Sequence, residues 1–346
     1  MEKDCRQTGG SRRKLWLAIG ILVAVLFVIA AWVGWGYLGG SGLSEARWVY
    51  LPANVSREEM RDSLVSALGD DTGAKVDRLW SVFGEDQLPH GAFRVEAGTS
   101  AARIYRRLSR GAQTPVRVTF NNVRTMRQLA SRVASRMEFD DRGFLAACDS
   151  VLLVKGLKTP HYPAAFFPDT YEFYWTDSPV KVVKRLSAEY DRFWDDARRG
   201  RAAALGLTPV EVATVASIVE EETNNRAERG TVARLYLNRL KEGMKLQADP
   251  TVKFAVGDFS LRRILGKHLA TLSPYNTYIY KGLPPGPIRI VDRATLDAVL
   301  DAPANDYLYM CAKEDFSGAH NFTRSYSEHL ANARRYQAAL NAKNIK

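Results

Sequence analysis

Three consecutive carboxylates, Glu220, Glu221 and Glu222, stand at the end of an apolar run. Val215, Val219 and Glu222 are spaced by four and three residues, so they share one stripe of an α-helix. Glu220 lies about 200° around the helix axis from Glu222. A carboxyl group among apolar side chains has a raised pKa, as a general acid working near neutral pH requires. Two interpretations stay open for the segment alone: a solvated acidic helix end, which is the usual structure of an acidic triplet, and acid catalysis.

Other kinds of chemistry lack their usual residues. The five histidines form no His-Glu-x-x-His motif and no Cys/His pair at metal-ligand spacing; they are His90, His161, His268, His320 and His329. The chain has no Gly-x-Ser-x-Gly nucleophile motif and no phosphate-binding loop. We therefore expect neither a metal ion nor a cofactor.

Polar and aromatic side chains are concentrated in the loops that follow the acidic helix. Neutral polar groups suit sugar hydroxyls, and aromatic faces suit the apolar side of a pyranose ring. We expect a carbohydrate cleft whose substrate-binding residues are Glu220, Gln247, Asp249, Tyr275, Asn276, Thr277, His320 and Asn321. Two alternatives remain open: Asp249 caps a helix that begins at Pro250, and the loop at His320 only docks the last helix.

Local signals place the helices of the carboxyl-terminal half. Thr208 and Pro209 suit the N-cap and the first position of the helix that carries the three carboxylates. A second amphipathic helix is predicted over 227–240, and the segment 282–288, with three prolines, is predicted to be a rigid wall or turn.

A small module is predicted near the amino-terminal end. Residues 47–51 and 91–95 have strand character, and Ser56 with Glu59 has the spacing of a helix-capping box. A helix is predicted after each strand, up to about Leu68 in the first case and over 101–108 in the second. The repeated pattern predicts two helices on a short sheet.

The amino-terminal 38 residues have the composition of a membrane anchor. Residues 15–33 form an uncharged segment of 19 residues, which is long enough to cross a bilayer. Trp32, Trp35 and Tyr37 stand where an interfacial aromatic belt is expected, and no Ala-x-Ala cleavage site follows. Five basic residues precede the apolar run and place the amino terminus in the cytoplasm. We expect an uncleaved single-pass anchor in the inner (plasma) membrane, with the rest of the chain outside the cytoplasm.

Composition narrows the class of partner. The formal net charge is +11, and 46% of the 346 residues are apolar, so the chain can bury a sizeable core. Beyond the amino-terminal tail there is no dense basic run with interleaved aromatics, so we expect no nucleic-acid binding. An outer domain with this charge suits anionic cell-wall polymers. Cys148 and Cys311 are the two cysteines of the outer part, and whether they pair is left open.

Four ordered motifs then carry a family resemblance. They are Ala216–Thr223 (ASIVEEET), Leu246–Val252 (LQADPTV), Tyr275–Tyr278 (YNTY) and Gly282–Ile288 (GLPPGPI). Together they resemble the YceG-like family of endolytic murein transglycosylases. Residues 167–171 also match the family, and residues 91–111 are similar to its LysM-like module. Glu221 and Ala248 depart from the Lys and Thr that the family often has.

The resemblance implies cleavage of the β-1,4 bond after N-acetylmuramic acid in peptidoglycan, leaving a 1,6-anhydro end. One carboxyl group is enough for that reaction, because the sugar's own 6-hydroxyl replaces water. We predict Glu222 as this group, since it continues the apolar stripe and since Glu-Thr is similar to the Glu-Ser pair of other lytic transglycosylases. Glu220 is the second candidate. The family also implies an association with peptidoglycan synthases.

The predicted fold class is α+β, with a single transmembrane helix, a small LysM-like α/β module and a larger mixed α+β catalytic domain. The predicted boundaries are a cytoplasmic tail at 1–14, a membrane helix at 15–38, a linker at 39–46, the LysM-like module at 47–117, an intermediate region at 118–206 and the catalytic region at 207–346. A non-catalytic peptidoglycan-binding or scaffold protein of the wall-synthesis machinery is the alternative function.

Overall fold

The structure is a computed structural model that describes residues 8–261 and 263–343. The fold is mixed α+β, as predicted. One helix, α1 (Thr8–Leu38), contains the segment Arg13–Leu38, in which an 18-residue window has a mean hydropathy of 2.8, and it is long and apolar enough to cross a membrane. Residues 1–7 of the predicted cytoplasmic tail lie outside the described residues.

The described chain divides into two compact units. The first contains residues up to Val116 together with Tyr174–Thr176, and the second contains Arg117–Phe173 and the rest of the chain from Asp177. The further division at residues 206 and 207 stays a prediction.

The first unit is built on the strands β1 (Arg47–Leu51) and β2 (Gly91–Val95), which pair antiparallel. Its helices are α2 (Arg57–Leu68), α3 (Asp70–Phe83) and α4 (Ala101–Ser109). The capping box of Ser56 and Glu59 is present at the start of α2, as predicted. The expectation of two helices was wrong, because α3 follows α2 after the single residue Gly69. The LysM-like assignment stays a prediction.

The second unit is mainly helical. Its strands form two short sheets, β3 (Val116–Phe120) with β4 (Asp169–Phe173) and β5 (Tyr309–Ala312) with β6 (His320–Thr323). Its α-helices are α5 (Met126–Ala134), α6 (Asp141–Leu152), α7 (Pro179–Phe193), α8 (Asp196–Ala204), α9 (Pro209–Glu222), α10 (Arg229–Lys241), α11 (Asp249–Val256), α12 (Gly266–Leu269), α13 (Arg293–Leu300) and α14 (Tyr326–Ala342). Both Cys148 and Cys311 are free thiols.

Helix α9 runs through the core of this second unit. It begins as the sequence predicts, since Thr208 and Glu211 form a capping box and Pro209 is the first helical residue. Every residue from Val212 to Val219 is buried, so the helix is covered on all sides rather than on one stripe. Helices α8, α10, α11 and α13 pack against it. The three carboxylates are therefore carried by an element that the surrounding core holds in place.

Candidate functional site

Glu222 is the last residue of α9. The helix ends there because Thr223 adopts an extended conformation while its N–H still donates to the Val219 carbonyl. The Tyr236 hydroxyl, from the adjacent helix α10, donates to Glu222 Oε1 at 2.8 Å. Tyr236 is 3% exposed, so this donor is fixed by the core. Glu222 thus has one oxygen held by a buried tyrosine.

The surroundings of Glu222 raise its pKa to about 7. Burial of the carboxyl group is the largest cause, and the negative charge of Asp249 acts in the same direction. The Tyr236 hydrogen bond and the positive charges of Arg239 and Lys253 oppose the rise. At neutral pH the group is therefore present in comparable amounts as acid and as carboxylate, which suits a residue that both donates and accepts a proton.

Glu222 lines a pocket of about 360 Å³. Asp249, Lys253 and Arg263 also line it, so the opening carries charges of both signs. Glu222 remains partly exposed there. Its carboxyl group is therefore accessible from the pocket while its backbone belongs to a buried helix.

Glu220 has a different environment. Arg289 forms an ion pair with its Oε1 at 3.1 Å. Its Oε2 accepts hydrogen bonds from the Thr295 hydroxyl at 2.7 Å and from the Asp292 N–H at 3.1 Å. The side chain is 8% exposed. Both oxygens are thus engaged by α13 and the segment before it.

Glu221 connects α9 to a distant part of the chain. Arg124 donates to both of its carboxylate oxygens, at 3.0 and 2.9 Å, and Arg289 donates to Oε1 at 2.9 Å. Such bidentate pairs are the most geometrically specific ion pairs in proteins. Arg289 bridges Glu220 and Glu221, so two of the three carboxylates form one ion-pair network and Glu222 lies outside it.

The loop after α10 brings two of the predicted binding residues to the surface near the pocket. Gln247 is exposed and has a φ of 50°, a left-handed conformation that non-glycine residues seldom adopt. Asp249 is the first residue of α11 and accepts a hydrogen bond from the Tyr278 hydroxyl at 2.6 Å. The N-cap is Ala248, with no side-chain cap, so Asp249 does not cap this helix.

The YNTY motif is mostly buried. Asn276 is fully buried, and its amide nitrogen donates to the carbonyls of Leu269 and Thr271. Thr277 is 2% exposed and accepts from the Ala248 N–H at 3.0 Å. Tyr275 packs on Phe254 with ring centroids 4.6 Å apart. These groups hold the loops together, and direct contact with a substrate stays a prediction for them.

His320 and Asn321 lie on strand β6. His320 Nδ1 is 3.0 Å from Glu228 Oε2, and the His320 backbone N–H donates to the same carboxylate. Asn321 donates to Glu314 at 3.1 Å. The strand is thereby tied to the short turn of 3₁₀-helix Arg226–Glu228, which lies between α9 and α10. A substrate-binding role for these two residues stays a prediction.

The GLPPGPI segment packs closely against the protein. Gly286 is buried, and a Cβ atom there would lie 2.0 Å from the Pro160 carbonyl oxygen. The Ile288 N–H donates to the Ser217 hydroxyl of α9 at 3.0 Å. The segment therefore fixes the middle of the helix that carries Glu222.

Sequence reasoning missed three groups that act on Glu222: Tyr236, Arg239 and Lys253. A signal for Tyr236 was available: it shares an apolar stripe with Ala233 and Leu240 in the predicted second helix, and a buried tyrosine usually needs a partner for its hydroxyl. Within the described residues, no cluster of three or more His, Cys, Asp or Glu residues has the arrangement of a metal site.

Comparisons with known proteins agree on one family. The sequence matches the profile of the YceG-like family over residues 49–335. A Bacillus subtilis (strain 168) protein named endolytic murein transglycosylase is 26% identical over 317 residues, which cover 84% of this chain and 86% of the relative. A Streptococcus pneumoniae serotype 2 protein of the same name is 30% identical over 153 residues, which cover 42% of this chain and 27% of that relative.

A solved structure shares the fold. The crystal structure of a putative YceG-like protein from Listeria monocytogenes matches with a TM-score of 0.58 at 23% sequence identity. The match covers 83% of this chain and 98% of the Listeria chain. At this identity the similarity concerns the fold alone.

Proposed function

The chain belongs to the YceG-like family, and we propose that it is a peptidoglycan lytic transglycosylase. The proposed reaction is endolytic cleavage of the β-1,4 bond between N-acetylmuramic acid and N-acetylglucosamine in nascent glycan strands, leaving 1,6-anhydro-N-acetylmuramic acid ends. Two observations support the enzyme class: the relatives that match are named endolytic murein transglycosylases, and a carboxyl group with a pKa of about 7 lines an open pocket.

Glu222 is the proposed acid and base. In its protonated form it donates a proton to the glycosidic oxygen as the bond to the anomeric carbon breaks. The resulting carboxylate then removes the proton from the 6-hydroxyl of the same muramic acid, whose oxygen bonds to the anomeric carbon. The proton count balances, because Glu222 ends the cycle protonated and no water is consumed. The pKa of about 7 lets one group perform both steps.

The neighbours of Glu222 have separate parts in this proposal. Tyr236 holds one carboxylate oxygen, which orients the side chain and stabilises the anion formed after the first step. Asp249 disfavours the anion and so keeps a substantial acid fraction at neutral pH. It also provides negative charge beside the pocket, where positive charge develops on the sugar ring.

Glu222 is favoured over Glu220 because of what each carboxylate contacts. Both oxygens of Glu220 are engaged by Arg289, Thr295 and the backbone of Asp292. Neither oxygen of Glu220 is therefore free to contact a glycosidic oxygen, whereas Glu222 lines the pocket. We assign Glu220 the task of fixing α9. We place Asp249 at the substrate because it lines the pocket, and Gln247 because it is exposed two residues before Asp249.

The cellular setting follows from the amino-terminal helix. We propose that Arg13–Leu38 anchors the protein in the inner (plasma) membrane, with a cytoplasmic amino terminus and the catalytic region outside. Residues 39–46 form a short linker, which keeps the site near the membrane, where new strands emerge. Glycan strands are the proposed partner, and peptidoglycan synthases are a further proposed partner.

The test is product analysis. Full-length protein in detergent is incubated with purified glycan strands, and the products are identified by mass spectrometry. We expect anhydromuramyl ends from the wild type and none from Glu222→Gln. Reducing muramyl ends would instead show a hydrolase, and the absence of any cleavage by the wild type would favour the non-catalytic wall-binding role. Full activity of Glu222→Gln would move the acid to another residue.

A further inference from the structure

A second, larger depression lies on the same unit as the Glu222 pocket. Its volume is about 770 Å³, and it is formed by α5, the segment before it and the end of α11. We call it the α5 pocket; the residues that matter here are Asn121, Asn122, Arg127, Ser131, Arg132 and Phe259. Among the residues that the structure describes, no Asp or Glu lines it.

The charge of the α5 pocket comes from one face of α5. Arg127, Ser131 and Arg132 are exposed, while Leu129 and Val133 on the opposite face are buried. Within the part of the chain that the structure describes, neither guanidinium forms an ion pair. Two uncompensated guanidinium groups beside amides and hydroxyls suit a ligand that is both polar and anionic.

The α5 pocket and the Glu222 pocket lie on either side of one small recess. A narrow recess between them shares Phe259 with the α5 pocket and shares Glu221 and Lys253 with the Glu222 pocket. Arg124 lies over the Phe259 ring, 5.3 Å from its centroid, and the Glu221 carboxylate holds Arg124 in place. The wall between the two pockets is thus fixed by the ion-pair network of α9.

The length of helix α11 gives the distance between the Glu222 pocket and the α5 pocket. Asp249 lines the Glu222 pocket at the start of α11, and Gly257 lines the α5 pocket just after its end. Eight residues at 1.5 Å each separate the two by about 12 Å. A substituent on a sugar bound at Glu222 can span that distance, and Lys253 contributes a positive charge along the way.

We propose that the α5 pocket binds the peptide stem that murein carries on its N-acetylmuramic acid. The stem bears free carboxylates, which match Arg127 and Arg132, and its amide groups match Asn121, Asn122 and Ser131. The enzyme therefore selects strands that still carry their stems over strands from which the stems have been removed. This inference rests on the proposed function, because it names a further part of the same substrate.

The experiment compares two substrates with the full-length protein in detergent. One is a preparation of stem-bearing glycan strands, and the other is the same preparation after amidase treatment, which removes the stems. We expect wild type to cleave the stem-bearing strands faster. The double variant Arg127→Gln/Arg132→Gln should lower the ratio of the two rates by about 5-fold to 10-fold, since two solvent-accessible ion pairs are lost. Added NaCl should lower the wild-type ratio as well.

Arg136→Gln is the matched control. Arg136 is exposed just beyond the end of α5 and does not line the α5 pocket, so its replacement should leave the ratio unchanged. Equal wild-type rates on both substrates would overturn the inference and leave the proposed function standing. A double variant that slows both substrates equally would also overturn it, because the arginines would then contact the glycan alone.

A binding measurement separates the two proposals. Glu222→Gln, which cannot supply the proton, is titrated with each substrate and binding is followed by fluorescence anisotropy of labelled strands. Tighter binding of the stem-bearing strands, reduced by Arg127→Gln/Arg132→Gln in the same background, supports the inference independently of turnover. Equal affinity for both substrates contradicts it, whatever the activity assay shows.

Discussion

Two glutamates two residues apart, Glu220 and Glu222, end the same helix with opposite electrostatic surroundings. Arg289 and two hydrogen-bond donors compensate the negative charge of Glu220. At Glu222, burial and the charge of Asp249 outweigh the stabilising contacts and raise the pKa to about 7. The difference arises from direction alone, since the two side chains leave the helix on nearly opposite sides. In the proposed mechanism, Glu220 fixes the helix and Glu222 exchanges the proton.

The pH dependence of kcat/KM should change when Asp249 or Tyr236 is replaced, because both act on the pKa of Glu222. Bond cleavage needs the protonated acid, so kcat/KM should fall as pH rises above about 7. Asp249→Asn removes a negative charge, so the pKa of Glu222 should fall and the decline should move to lower pH. Tyr236→Phe removes the donor that stabilises the carboxylate, so the decline should move to higher pH. Shifts of about half a unit to one unit are expected for each.

The test is that the pH profiles of Asp249→Asn and Tyr236→Phe move in opposite directions. Tyr280→Phe is the control, because Tyr280 is exposed and lies outside the Glu222 pocket, and its profile should coincide with that of the wild type. Profiles of Asp249→Asn and Tyr236→Phe that move in the same direction would contradict the assignment of Glu222 as the titrating acid.

Stability should distinguish the same pair of glutamates. Glu220→Gln removes one of the two carboxylates that pair with Arg289, at a site that is 8% exposed, so the free energy of unfolding should fall by about 2 kcal/mol. Glu222→Gln removes a charge that the fold disfavours, because the folded pKa lies above the usual value of a glutamate. Its stability should therefore equal or exceed that of the wild type at pH 8.

Urea titration checks both expectations. Glu172→Gln, an exposed glutamate of β4 in the same unit, should change stability by less than about 0.5 kcal/mol. A Glu220→Gln protein as stable as this control would show that the ion pair with Arg289 does not hold α9.

At the scale of elements, the ends of α9 could be predicted from the sequence, but the residues that contact its carboxylates could not. Thr208, Pro209 and the acidic end are local signals, and the structure confirms the helix that they predict. The partners of Glu221 were not predictable, because Arg124 lies 97 residues away and nothing in the local pattern connects the two. Helix α3 was missed for a different reason: α2 and α3 are separated by Gly69 alone, which reads as an ordinary helix end.

The GLPPGPI segment gives a prediction at this scale. Gly286→Ala places a Cβ atom 2.0 Å from the Pro160 carbonyl oxygen, so the segment must move away from Pro160. We expect a loss of about 2 kcal/mol or more in stability, together with a fall in activity, because the hydrogen bond from Ile288 to Ser217 is disturbed.

Gly200→Ala is the matched control for that substitution. Gly200 lies in α8 with open space where the added methyl group would lie, so alanine should stabilise the protein by about 0.5 to 1 kcal/mol through its helix propensity. Thermal unfolding and the glycan assay measure both variants. Unchanged stability in Gly286→Ala would show that the contact with Pro160 is loose.

At the scale of the whole molecule, the proposed anchor predicts where the protein is found. The full chain should remain with membranes after carbonate extraction, and a variant lacking residues 1–38 should be released, because Arg13–Leu38 is long and apolar enough for a span. A carboxyl-terminal alkaline phosphatase fusion should be active, since the basic residues before the helix favour a cytoplasmic amino terminus. An inactive fusion or a carbonate-soluble full chain would contradict the proposed topology.

The long-range ion pairs of α9 also bear on the order of folding. Glu222 meets Tyr236 across 14 residues, but Glu221 needs Arg124 and Arg289, which lie 97 residues before it and 68 residues after it. Contacts of such separation form late, because the intervening chain must first lose its freedom. We infer that the helix reaches its final position only after synthesis has passed Arg289. The end of the helix that carries Glu222 is thereby held by residues from both sides of it in the chain, so its position depends on the whole unit rather than on any local segment.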